Sequence, residues 1–306
     1  MTFIIAEVGS NWKTEDDLIH SIVQAKECGA DAVKFQAFSH FDLYGQVNTR
    51  FEELHYNRLR WDFMPTMGKK CRSIGIEFMC TVFNHELVPT IDTQVNIHKV
   101  ASSNMMDLKL LKAVAKTGKQ VFLSTGGWHM DHIRVAMSHF DKGQAVPLYC
   151  QPKYDGINPD LRCIDRLVEE FGIAGFSDHS SDSSYMGWSA ANIHDARAIE
   201  KHVNFTDYTD TPDAGHSLHA RDFRRYVLNI RDEFKPELPT RFHDMQMFHY
   251  ARPVVTRDCL PGEKVEFRYM RVKEANSFNE YGEDLSGCTA KISLRTGDVL
   301  EKKYLV

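Results

Sequence analysis

The sequence lacks a C-x-x-C pair, a G-x-G-x-x-G glycine fingerprint after its first apolar run, and any stretch near the ~18 apolar residues that a membrane span requires. Its seven cysteines, Cys28, Cys71, Cys80, Cys150, Cys163, Cys259 and Cys288, are odd in number and irregular in spacing. That pattern argues against a disulfide framework and a cysteine zinc site, and predicts reduced thiols in a cytoplasmic protein. The missing fingerprint argues against an open dinucleotide-binding sheet. The opening, Met1 to Glu7, has neither the basic start nor the long apolar stretch of a secretory leader, so no membrane partner is expected. Positive charge is also in short supply: 37 Lys and Arg face 42 Asp and Glu, a net charge of −5. Nucleic acid, which calls for a basic surface, is not an expected partner. An acidic protein can still hold a local basic pocket for an anionic substrate.

What the sequence does have is alternation. With 306 residues, 42% hydrophobic and 26% charged, the chain suits one large soluble domain with a small appendage. Phe3–Val8 reads as a buried strand. Thr14 then caps a helix whose first turn holds Glu15, Asp16 and Asp17, whose apolar face is Leu18, Ile19, Ile22 and Val23, and which Gly29 ends. Further strand-like runs fall at Asp31–Gln36, Ile76–Cys80, Ile97–Val100, Gln120–Ser124, Val146–Cys150, Ile173–Phe176 and Ala198–His202. Helical patterns lie between them, for example Leu108–Ala115 and Ile164–Phe171, and a last one covers Ser217–Glu233. Eight strand–helix units in residues 1–234 predict a closed (β/α)8 TIM barrel, because parallel strands need crossovers. The proline-bearing stretch 235–252 reads as a linker, and 253–306 as a small β-rich domain with turns at Pro261-Gly262 and Thr296-Gly297-Asp298.

In such a barrel the chemistry sits at the C-terminal ends of the strands. Glu7, Lys34, Gln36, Thr81, Phe83, Lys99, Ser102, Ser124, Tyr154, Ser177, His179 and His202 all fall at or just beyond those ends, and Asp213 follows the last. A lysine inside a strand is unusual, because a buried ammonium needs an anion. Lys34 and Lys99, with the hydroxyls of Ser102 and Ser124, form a candidate cradle for phosphate and carboxylate. His179 and His202 end neighbouring strands and can share one metal, with Glu7 closing the ring. Two nitrogens and a carboxylate leave the open positions that a Lewis acid needs. By contrast, His129 and His132 at a helix start read as surface residues, and Met105-Met106 as packing.

Six segments in order, Ile4–Asn11, Gly29–Phe38, Lys99–Asn104, Ala115–Gly126, Gly175–Ser180 and Ala198–His202, resemble the sialic acid synthases. Residues 253–263, 285–287 and 296–298 resemble, more weakly, the antifreeze-like (SAF) domain that ends those enzymes. The resemblance implies attack of phosphoenolpyruvate C3 on the open-chain aldehyde of an N-acylated hexosamine such as N-acetylmannosamine. Water then adds at C2, phosphate leaves, and a nine-carbon 2-keto acid remains. It implies a divalent metal on His179 and His202, manganese first, with magnesium or cobalt as alternatives. It assigns phosphoenolpyruvate to Lys34, Thr81, Lys99, Ser102, Ser124 and Ser177, and the sugar to Glu7, Gln36, Phe83, Tyr154 and Asp213. It further implies a homodimer with swapped SAF domains, Arg271 reaching the partner's sugar site. The departures from the family pattern, Asn11-Trp12, Cys80-Thr-Val-Phe83, Cys150-Gln-Pro-Lys-Tyr-Asp155 and Asp210-Thr-Pro-Asp213, fall mainly on the sugar-facing side. A different aldose acceptor, or a non-catalytic sugar-binding barrel, are the competing readings.

Overall fold

The computed structural model describes residues 1–38, 62–152, 159–180, 183–231, 251–271, 287–296, 298, 300 and 302–306. Eight parallel strands close on themselves: β1 (Phe3–Gly9), β2 (Ala32–Ala37), β3 (Glu77–Val82), β4 (Ile97–Val100), β5 (Gln120–Ser124), β6 (Ala145–Cys150), β7 (Gly175–Asp178) and β8 (Ala198–Asn204), with β8 pairing back to β1. Among the described residues, the helices between and after them are α1 (Glu15–Glu27), α2 (Met64–Ile74), α3 (Val88–Asp92), α4 (Leu108–Ala115), α5 (Met130–Met137), α6 (Arg162–Phe171), α7 (Ser183–Asn192) and α8 (Ala220–Arg231). This is the expected (β/α)8 barrel, and the strands read from apolar runs lie within two residues of those observed. Among the described residues no helix is long and apolar enough to cross a membrane.

Local chemistry explains how α1 starts. The Thr14 hydroxyl accepts from the Asp17 amide while the Asp17 carboxylate accepts from the Thr14 amide, a reciprocal cap on α1. The buried stripe of α1 is Leu18, Ser21, Ile22 and Ala25, with Ile19 and Val23 only half-buried at its flanks. That is a slightly rotated face from the one apolarity alone suggests.

Strand periodicity sorts the side chains. Outward-facing residues such as Ile4, Val33, Phe35, Cys80, Phe176, Ile199 and Val203 join the helices in the main core. Inward-facing Ile5, Ala32, Met79, Phe122, Val146, Leu148 and Ala198 plug the lower barrel. One step further along the same strands the inward positions turn polar. Glu7, Lys34, Thr81, Lys99, Ser124, Ser177, Glu200 and His202 are all buried there. The registers Glu7↔Lys34, Thr81↔Lys99, Ser177↔Glu200 and Glu7↔His202 set them side by side.

The C-terminal part has a core of its own: Val255, Cys259, Val265, Ala290, Leu294 and Leu300. It is built on the antiparallel pair β10 (Ala251–Val255) and β11 (Phe267–Arg271), with isolated bridges Cys259↔Leu294, Lys264↔Thr289 and Ala290↔Leu305. β10 begins two residues inside the stretch read as linker; Pro253 lies within this two-stranded sheet, where a missing N–H is tolerated. Most of the expected linker, 235–250, lies outside the described residues. Phe267 packs against the main barrel core.

Candidate active site

Two lysines and two glutamates lie buried together in the barrel mouth. Lys34 Nζ contacts Glu7 Oε2, donates to Thr81 Oγ1 at 2.7 Å, and lies 3.6 Å from Glu200 Oε2. Lys99 Nζ donates to Ser124 Oγ at 2.7 Å and lies 3.8 Å from Glu200 Oε1. Ser177 Oγ donates to Glu200 Oε1 at 3.2 Å, and Gln36 Nε2 to Glu7 Oε1 at 2.9 Å. The anions that the strand lysines call for are therefore Glu7 and Glu200, two for two.

The carboxylates are driven apart. Burial pushes Glu7 up to about 7, against the pull of the Lys34 ammonium. Burial acts on Glu200 too, but Lys34 and Lys99 outweigh it and hold that carboxyl below its ordinary value. Burial alone would lower Lys34, yet Glu200 and Glu7 raise it. Lys99, with Glu200 as its nearest carboxylate, is lowered by burial. A pair of acids split in this way gives one group that can carry a proton near neutrality and one that stays an anion.

The histidines stand beside this cluster. His179 and His202 have ring centroids 5.6 Å apart. Both are held neutral, His179 well below its ordinary pKa and His202 at about 3, burial being the main cause in each. His179 Nδ1 lies 2.8 Å from the Gln151 carbonyl oxygen, so Nδ1–H donates there and Nε2 keeps its lone pair. That is the second-sphere arrangement of a metal-ligating imidazole. His202 in turn meets His216 edge-on at 4.9 Å, and donor atoms of His202, Asp213 and His216 all lie within 4.8 Å of one another. The carboxylate that joins His202 is thus Asp213. Glu7, expected to close the ring, is engaged by Lys34 and Gln36 instead.

The other expected residues divide. Gln36, Thr81, Ser124 and Ser177 are hydrogen-bonded into the charged cluster. Ser102 opens the turn Ser102–Asn104 just past β4. Phe83 meets Phe38 edge-on at 5.9 Å, an apolar rim beyond β3. Tyr154 and the Arg271 side chain lie outside the described residues. Met105 and Met106 are core residues as read.

Two features escaped the sequence reading. Glu200 was visible in the strand run Ala198–His202, two positions before His202 and on the same face, but only the structure shows it between both lysines. Behind β7 and β8 lies a second buried pair: Lys201 Nζ sits 3.5 Å from Asp178 Oδ1 and donates to the Ser180 carbonyl at 2.8 Å. Asp178 also accepts from Ser180 and from Tyr226 Oη on α8. This network ties the strand ends that carry His179 and His202. A cavity of about 250 Å³ lined by Thr125, Trp128, Ile133, Tyr149, Cys163 and Leu167 lies behind β5 and β6 and contains none of the charged cluster.

With that geometry in place, similarity to known proteins is informative. Residues 21–236 match the NeuB family. An uncharacterized protein of Methanocaldococcus jannaschii is 32% identical over 241 residues, covering 75% of this chain and 70% of that one. N,N'-diacetyllegionaminic acid synthase of Legionella pneumophila is 29% identical over 276 residues, covering 78% of this chain and 77% of its own. Other relatives are named pseudaminic acid synthase and N-acetylneuraminate-9-phosphate synthase. Among solved structures, an N-acetylneuraminic acid synthetase from Leptospira borgpetersenii superposes with a TM-score of 0.69 at 26% identity, covering 75% of this chain and 82% of that one.

Proposed function

The chain belongs to the NeuB family, and from that premise we propose that it joins phosphoenolpyruvate to an N-acylated amino-sugar aldehyde of the N-acetylmannosamine type. It is a phosphoenolpyruvate-dependent C–C bond-forming transferase of the nonulosonic acid synthase kind. The observation that carries the substrate reading is the buried Lys34 and Lys99 pair, set among Thr81, Ser124 and Ser177. Phosphate and carboxylate are the anions such a set recognises.

The roles follow from the charges. Lys34 and Lys99 bind phosphoenolpyruvate while Glu200, ionised between them, fixes their positions. A bound anion beside Glu7 favours its protonated form, so Glu7 is the group that holds and releases a proton at the sugar oxygens. Phosphoenolpyruvate C3 bonds to the aldehyde carbon, water adds at C2, and the C2–O bond to phosphate breaks. His179 and His202, neutral and oriented, fit a divalent ion, manganese first. When bound, it supplies Lewis-acid polarisation of the aldehyde. Gln36, Phe83, Tyr154 and Asp213 are assigned to the sugar.

The relatives' names differ in the sugar acid made, so the acceptor is the part to test. Phosphate release from phosphoenolpyruvate is measured with manganese, with and without N-acetylmannosamine and a panel of N-acyl amino sugars. Release that requires an acceptor supports the synthase. No release with any sugar of the panel, while phosphoenolpyruvate still binds, leaves only a sugar-binding barrel. The same reading places the enzyme in the cytoplasm as a homodimer, residues 253–306 being an antifreeze-like domain whose Arg271 reaches the partner's site. A monomer in sedimentation at micromolar concentration removes that arginine.

A further inference from the structure

The loop after β8 does more than bring Asp213 to the mouth. Residues Ala214–His216 form a single 3-10 turn. In that geometry side chains three apart eclipse one another, which sets His216 Nε2 3.6 Å from Asp213 Oδ1. The turn is held at both ends. Asn11, fully buried two residues beyond β1, accepts from Thr211 Oγ1 at 2.7 Å and donates to Ser217 Oγ at 2.8 Å and to the Val203 carbonyl at 2.9 Å. Ser217 Oγ donates to the Asp213 carbonyl at 2.6 Å. β9 (Leu218–His219) then pairs with Val203 and Asn204, directly after His202. The Ser10 amide donates to Asp213 Oδ2 at 2.8 Å, which leaves Oδ1 on the His216 side. Gly9 permits this approach: at its φ of +57° a Cβ would stand 2.3 Å from Asp213 Oδ2.

We propose that His216 is a third protein ligand to the divalent ion held at His202, with Asp213, through Oδ1, as its carboxylate ligand in place of the sugar contact assigned above, and His179 as the adjacent fourth donor. This deepens the metal-assisted reading above and rests on it. Donor atoms within 4.8 Å of one another need only a small closing movement to meet one ion, since metal–nitrogen and metal–oxygen bonds are about 2.0–2.2 Å. Three imidazoles and one carboxylate form a set that favours first-row transition ions, and a six-coordinate ion held by four donors keeps positions open for substrate. Magnesium, which prefers oxygen ligands and its own waters, is the poorer fit.

The test is metal binding, not turnover. Metal-stripped full-length protein is titrated with manganese chloride by calorimetry and with cobalt chloride by visible absorption. His216→Ala is expected to raise the manganese Kd at least tenfold and to alter the cobalt spectrum, with far-UV circular dichroism unchanged. His216→Asp, which restores a ligand, is expected to recover most of that loss and guards against a folding defect in the alanine variant. His129→Ala, at the N-cap of α5, is the control and is expected to bind as the parent does. If His216→Ala binds manganese and cobalt as the parent does while His202→Ala does not, the proposal is wrong and the synthase reading stands. If the parent condenses its substrates fully in EDTA, the metal-assisted reading falls, and this proposal with it.

Discussion

At the residue scale, Glu200 is the hinge of the charged cluster. It is the carboxylate within reach of both buried ammoniums, 3.6 Å from one and 3.8 Å from the other. Removing one partner from a buried ion pair costs about 3–5 kcal/mol, because the other charge stays buried. Glu200→Gln keeps the shape and removes the charge, and is expected to destabilise the protein by about 3 kcal/mol, read from urea unfolding. Adding Lys99→Met to that variant should recover part of the loss, since the stranded ammonium goes with it. A single variant as stable as the parent would show that Glu7 alone suffices for both lysines. The sequence made the need for such an anion legible: Lys34 and Lys99 sit at inward positions of apolar runs. It did not say which carboxylate meets which lysine, because that depends on the stagger between strands eight and two around a closed barrel. His216 was less legible still. Its relation to Asp213 comes from one turn of 3-10 helix, too short to leave a periodic trace.

At the element scale, the strands and helices were legible because each unit repeats a simple contrast between an apolar strand and an amphipathic helix, with glycine stops after α1, α2 and α6. The joints between elements were not. Asp178 and Lys201 are two more polar residues at strand ends, yet the outward face of β7 and β8 carries them into a buried pair that Asp178 joins to α8 through Tyr226. The device that permits it is Gly187 on α7. A Cβ there would stand 2.4 Å from the Tyr226 ring and 2.6 Å from its hydroxyl, so the glycine makes room for Tyr226 to reach Asp178 at 2.9 Å. Gly187→Ala is therefore expected to push Tyr226 off Asp178. Overpacking of this kind costs about 1–3 kcal/mol, measurable as a lower melting temperature. Because Asp178 precedes His179, phosphate release should fall more than stability alone explains. Tyr226→Phe separates the two effects: it removes the hydrogen bond without adding bulk. If Tyr226→Phe keeps full activity, the network stabilises the barrel but does not position His179.

At the scale of the whole molecule, the apolar cores of the barrel and of the C-terminal part are very unequal. The main barrel core runs through all eight strands and their helices, whereas the C-terminal core has six buried residues among the described residues. Small cores open at lower cost than large ones. The cysteines report on both. All seven are free; six are buried and Cys288 is half-exposed. Burial pushes the Cys71 thiol up to about 12 and also raises Cys28, Cys80 and Cys163, so these groups have almost no thiolate near neutral pH. Their reaction with a thiol reagent must wait for the structure to open. Cys259 lies in the small core, and Cys71 and Cys80 in the large one. Labelling with a disulfide reagent across a urea series, read by mass spectrometry of peptides, is expected to modify Cys288 without urea. Cys259 should follow at intermediate urea, and the barrel cysteines only at the main unfolding transition. Cys259 reacting together with Cys71 and Cys80 would mean that the two cores open as one unit, with the contact of Phe267 on the barrel strong enough to couple them.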